Sequence, residues 1–166
     1  MAELKPQERL QPALLDRLTD DEPDKKQEAR EARLITKTKL RQAVLRDLAW
    51  LFNSVRPSDI DWTGYPHAER SVVNYGLPAL SGETASTLDV IELERSIRQV
   101  ILEFEPRISA ATLQVEGLVD DMQLDHHNVV SVQIRGQLWA QPVPLELLLH
   151  TEVDLETGEV AIREMG

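Results

Sequence analysis

Residues 90–108 read VIELERSIRQVILEFEPRI, and the change of period inside this stretch decides the fold. Val90, Leu93, Ile97, Val100, Ile101 and Phe104 recur at helical spacing and make one apolar stripe. Glu94, Arg95, Arg98, Gln99 and Glu103 occupy the opposite face, where Glu94 and Arg98 stand at the i,i+4 spacing of an ion pair. Ser86 or Thr87 is the expected cap, and Asp89 and Glu92 fall in the first turn, where the helix dipole favours acids. A helix is therefore expected over about 88–104. Pro106 stops it and forces Glu105 out of the helical region.

Beyond Pro106 the apolar residues alternate. Strands are expected from about Arg107 to Leu118, over 130–138, from Leu145 to Asp154, and from Glu159 to Arg163. The second is the cleanest: Val130, Val132, Ile134 and Leu138 point one way, and Ser131, Gln133, Arg135 and Gln137 the other. Gly136 inside it suggests a bulge. Helices first and antiparallel strands afterwards give an α+β fold, with three to four strands packed on the central helix.

Working back toward the N-terminus, residues 57–85 read as a long irregular connection, punctuated by Pro57, Gly64, Pro66, Gly76, Pro78 and Gly82, with a short helix around His67 to Val73. Five of the seven aromatics fall between Trp50 and Tyr75, and they are expected to pin this connection to the core. Residues 28–55 read as a long helix, carried by Arg41, Val44, Leu48, Leu51 and Val55 with Leu45 and Phe52 beside them. Residues 1–27 are rich in Pro, Gln and charge and enclose one apolar island around Leu14, Leu15 and Leu18. Such an island builds no core of its own; it docks back on the domain or binds a partner. The organisation expected is a flexible arm over 1–27 and a single domain over 28–166.

Composition narrows the function. The chain has 166 residues, no cysteine and a net charge of −11. Without cysteine there is no disulfide, thiolate metal site or cysteine nucleophile. An acidic chain with 4% aromatics is poorly suited to bind nucleic acid or anionic membranes. No apolar run approaches the ~20 residues of a membrane span, and Met1 to Pro6 lack a signal-peptide core, so a cytoplasmic location is expected. Charge is uneven: residues 31–56 carry two acids and six bases, residues 111–166 ten acids and two bases. A weakly basic helix facing an acidic sheet is the simplest consequence.

Candidate chemistry is sparse. Asp120, Asp121, Asp125, His126 and His127 cluster between two expected strands, but without calcium-loop spacing; an acidic hairpin loop is expected. There is no nucleophile elbow and no Gly-rich phosphate loop. The place that breaks local rules is the corner Glu105-Pro106-Arg107, where acids sit at the negative end of a helix and a proline fixes the exit.

Phe104 to Ile108, closing the stretch Leu93 to Arg107, resembles the signature of the lysozyme-like phage baseplate wedge family. PALLDRLTDDEP at 12–23, RDLAWLFN at 46–53 and SVVNYGLP at 71–78 are similar, more specifically, to the type VI secretion branch of that family. The resemblance spans roughly residues 10 to 155. It implies a structural subunit that docks to other baseplate wedge subunits, helps to start the contractile sheath, and is assembled into a membrane-anchored secretion apparatus. It implies partner-binding roles for Glu105, Pro106 and Arg107 at the corner and for Leu14, Leu15, Asp16, Arg17 and Leu18 in the arm. Despite the family's name it implies no enzyme: no catalytic residue, cofactor, metal, small-molecule substrate, nucleic acid or direct membrane insertion is expected. A peptidoglycan-acting enzyme and an adaptor for a stress-regulatory protein are the alternatives.

Overall fold

The computed structural model describes residues 13–19, 24, 36–80, 89–118, 128–140 and 143–165. Its elements in chain order are α1 (Leu14–Leu18), α2 (Lys37–Phe52), α3 (Pro66–Glu69), a 3₁₀ turn (Val72–Asn74), α4 (Val90–Phe104), β1 (Gln114–Leu118), β2 (Val129–Leu138), β3 (Leu145–Asp154) and β4 (Val160–Glu164). The strands form one antiparallel sheet in the order β1-β2-β3-β4. The expected α+β architecture is observed.

The α4 stripe does what its spacing dictates. Leu93, Ile97, Val100 and Ile101 are buried, and they join Val44, Leu48 and Leu51 of α2 and the inward residues of the sheet, including Val132, Ile134, Leu138, Leu149 and Val153. The cap is Asp89, whose carboxylate accepts from the Ile91 and Glu92 amides; Ser86 and Thr87 lie outside the described residues. Glu94 is not given to Arg98. Its Oε1 accepts from the Gly117 amide of β1 at 2.6 Å, and the surface pair of α4 is Glu92 with Arg95. Gly117 is required for this approach, because a Cβ there would lie 2.3 Å from Val90 Cγ1.

The described part of the second helix begins at Lys37, where Thr36 accepts from the Lys39 amide, and ends at Phe52, short of the expected Val55. It ends there because the next residues leave to pair elsewhere. Asn53 reaches β4: its Nδ2 donates to Val160 O and its Oδ1 accepts from Val160 N, both at 2.9 Å. Val55 bridges Leu77 in parallel. Gly76, at φ 116, lets that strand-like segment pass against Ser54, whose carbonyl oxygen would sit 2.2 Å from a Cβ. Each free edge of the sheet is therefore closed at one point by a side chain from a helix or its C-cap, Glu94 of α4 on β1 and Asn53 after α2 on β4. Unpaired edges template unwanted strands, and such plugs blunt them.

Other boundaries differ from expectation. The first strand is interrupted: Arg107 to Ser109 join β2 through the Ile108–Leu138 bridge, a turn follows, and β1 proper starts at Gln114. Gly136 makes no bulge; it sits in continuous register opposite Leu147, and its missing Cβ leaves room for Ile108. The short helix expected around His67 to Val73 is split into α3 and the 3₁₀ turn. Phe52 is buried and Tyr75 packs edge-on to Phe104 at 5.2 Å, but Trp50 and Tyr65 are exposed, so only part of the aromatic set pins the connection. The basic helix does meet the acidic sheet: Arg41 pairs with Glu164 and donates to Glu146 O. The Asp120–His127 loop and the arm at 1–12, 20–23 and 25–27 lie outside the described residues.

Candidate functional site: the helix corner and its ion-pair chain

Pro106 cannot continue a helix, and it holds Glu105 at φ −121, ψ 75. The Glu105 amide still bonds Ile101 O, and its carbonyl accepts from Ile108 N, closing a turn. Arg107 is then fixed from the other side, because its carbonyl accepts from the Trp139 amide at 2.8 Å. Backbone bonds on both flanks thus set where the Glu105 and Arg107 side chains go. Pro106 itself is exposed.

The corner turns its charges inward. Glu105 is only 3% exposed. Arg107 Nε donates to Glu105 Oε1 at 2.6 Å, and Nη2 pairs with Glu105 Oε2. The same Nη2 reaches Asp47 Oδ2 of α2 at 2.5 Å. Burial opposes the charge on Arg107, but hydrogen bonds and charge from Glu105, then Asp47, outweigh it and raise its pKa further. A planar guanidinium suits two carboxylates at once, which a lysine does not. Its remaining nitrogen, Nη1, makes no hydrogen bond within the described residues.

The chain of charges continues along α2. Asp47 Oδ1 accepts from Arg46 Nε at 2.9 Å and Nη2 at 2.7 Å, and Arg46 Nη1 reaches Asp16 of α1 at 2.6 Å. Arg46 also lies 5.1 Å from the Trp50 ring, a cation–π contact. Burial opposes its charge too, and the hydrogen bonds of Asp16 and Asp47 overcome it, so its pKa is raised. Tyr75 borders the same chain: burial first, then the charges of Asp47 and Glu105, push its phenol pKa up.

The structure therefore brings together Asp16, Glu105 and Arg107 from the candidate residues. It places Leu14, Leu15 and Leu18 on the outer face of α1, 69%, 43% and 74% exposed. Arg17 lies within α1, and Pro106 is exposed at the corner. Asp47 and Arg46, which join the two groups, open the RDLAWLFN motif but were not among the candidate site residues. A further signal was available: Asp47 and Glu31 are the only acids in the basic stretch 31–56.

A separate open groove of about 330 Å³ lies between the end of α2 and the β3–β4 turn, lined by Asn53, Ser54, Leu77, Pro78 and Thr157 with one acid, Glu159. Among the described residues no group of three His, Asp or Glu could hold a metal ion.

Comparison with known proteins adds one match. Residues 38–143 match the family described as baseplate wedge protein gp25. No curated protein and no solved structure matches the chain.

Proposed function

We propose, since this chain belongs to the baseplate wedge protein gp25 family, that it is the TssE-type wedge subunit of a contractile type VI secretion apparatus. Membership carries the coarse role, a structural baseplate protein that works among other baseplate proteins. The secretion branch, the docking surface and the sheath are our reading. In it the chain docks to larger wedge subunits through the Glu105-Pro106-Arg107 corner and the α1 arm, and it helps to start the sheath by accepting a strand at an edge of its sheet. It works on the cytoplasmic side of a membrane-anchored machine; no described helix is long and apolar enough to cross a membrane.

The observation that carries the docking reading is the state of Arg107. Two of its three nitrogens are held by Glu105 and Asp47, so the fork is aimed, while Nη1 has no hydrogen bond among the described residues. A preoriented guanidinium beside an exposed proline is an economical anchor for a partner carboxylate or helix-end carbonyl. Non-enzymatic function is part of the same reading. A glycosidase needs two carboxylates flanking a cleft, and the groove by the β3–β4 turn offers one. Asp47 and Glu105 are spent on Arg107.

The test is co-expression with the larger wedge subunits of a type VI baseplate, followed by size-exclusion chromatography. A stable complex containing this chain is expected. Separate elution, or clearing of purified cell walls by this chain alone, would contradict the proposal.

A further inference from the structure

Five charged side chains from three distant parts of the sequence form one uninterrupted chain: Asp16, Arg46, Asp47, Arg107 and Glu105. Asp47 is its centre. It gives Oδ1 to Arg46, which holds α1, and Oδ2 to Arg107, which holds the corner. Among the described residues no other side chain is hydrogen-bonded to both arginines.

The orientation of α1 follows from this tether. At about 100° per residue, Leu14, Leu15 and Leu18 share one side of a helical turn and Asp16 lies nearly opposite. The ion pair to Arg46 therefore faces the leucines away from the domain, the reverse of an ordinary amphipathic helix docked on its own core. Three exposed leucines on five residues are a face prepared for another surface. The chain also carries three carboxylates against two guanidiniums, one unbalanced negative charge. That charge has a place: Asp16 Oδ2 is turned away from solvent and accepts no hydrogen bond among the described residues.

We propose that α1 and the Glu105–Arg107 corner are two halves of one docking surface, kept in register by Asp47. Its occupant is a partner protein with an apolar groove rimmed by a basic side chain. The groove takes Leu14, Leu15 and Leu18 as a helix-in-groove contact. The basic side chain offsets the surplus negative charge from the rim, without reaching the shielded Asp16 Oδ2. Asp47 is a positioning residue that need not touch the partner. This deepens the docking reading given above and rests on it for the identity of the partner, but the unity of the surface is testable without one.

The chain has no cysteine, so a nitroxide on Ala13→Cys is a unique label at the start of α1. In the isolated full chain the label should show restricted motion, which Asp16→Asn removes. Asp47→Asn should remove it as well. Arg107→Ala should weaken it, because Asp47 then turns both oxygens to Arg46 and competes with Asp16. Glu92→Gln, which breaks an ion pair elsewhere, should not affect it. Wild-type line shape in Asp47→Asn would overturn the proposal.

The second arm uses co-expressed wedge subunits. Combining Asp16→Asn with Arg107→Ala should reduce affinity by less than the product of the single losses, because each already loosens the whole surface. Multiplicative losses would mean two independent sites and overturn it. Wild-type affinity should fall more steeply with salt than that of Asp16→Asn, and parallel salt curves would overturn the basic rim. If wild type binds no wedge subunit, the assignment to a type VI wedge fails; the label still decides whether the surface is one unit.

Discussion

Asp47 and Arg107 stand sixty residues apart in the chain and meet at 2.5 Å, carboxylate to guanidinium, where α2 passes the end of α4. This contact makes the corner part of the folded domain rather than a free projection. Docking and stability are consequently linked at Arg107. Replacing Arg107 with Ala leaves a buried Glu105 without its cation and should cost about 1–3 kcal/mol, less than a fully enclosed pair because Arg107 keeps some solvent contact. Combined with Glu105→Ala, the two losses should not add. Denaturant unfolding of the two single variants and the double variant measures this.

Gly117→Ala should destabilise by about 1–3 kcal/mol through overpacking, since the new methyl meets Val90 2.3 Å away and α4 must shift. The same substitution at Gly64, where nothing lies within 4 Å, should show only the strain of its positive φ. Thermal melting of the pair separates close packing from backbone conformation.

Asn53→Ala should expose the outer amide and carbonyl of Val160, costing about 1–2 kcal/mol and unplugging one end of the β4 edge. Antiparallel alternation puts the Ile162 and Glu164 amides on the same outer side, because Met165 N and Glu159 O bond β3. Light scattering at high concentration should therefore rise in Asn53→Ala and stay low in wild type.

The β3–β4 turn should loosen in acid. Asp154 accepts from the Glu156 and Thr157 amides at 2.8 and 3.0 Å, bonds that hold its carboxyl pKa below the usual carboxylate value. A lowered folded pKa means that the unfolded chain binds the proton more readily. The contribution is therefore complete above the ordinary carboxylate range and fades as pH falls through the folded pKa. Amide exchange of Glu156 and Thr157, corrected for intrinsic rates, should quicken below about pH 4 in wild type. In Asp154→Asn it should lack that step.

Much of the fold was legible because its signals are local. The stripe from Leu93 to Phe104, the stop at Pro106 and the alternation of Val130, Val132 and Ile134 need only neighbours in the chain to be read. The site was half legible. Glu105, Pro106 and Arg107 announced themselves by breaking helix-end rules, yet their direction did not, because an inward turn depends on Asp47 arriving from another helix. The same holds for Glu94: a surface pairing with Arg98 is what the helix alone favours, and the Gly117 amide is a tertiary competitor invisible at i,i+4 spacing. A glycine inside an alternating strand was the one hint of that approach. The Asp16–Arg46 contact left no local trace, since an ion pair imposes no sequence periodicity.

Deleting residues 1–22 should leave the melting temperature of the domain within a few degrees of wild type, because the described contact of α1 is the partly exposed pair of Asp16 with Arg46. The same deletion should weaken binding to wedge subunits. Equal affinity in the truncated chain would remove the arm from the docking surface.

The central claim is that the corner docks a partner, and Arg107→Lys tests it most directly. Lysine keeps a cation for Glu105 and Asp47 but lacks the fork and its third nitrogen. The dissociation constant for the wedge subunits, measured beside the melting temperature, should rise about thirtyfold or more while the melting temperature falls only slightly. Wild-type affinity in Arg107→Lys would contradict the account and leave the corner as a structural joint between α2 and α4.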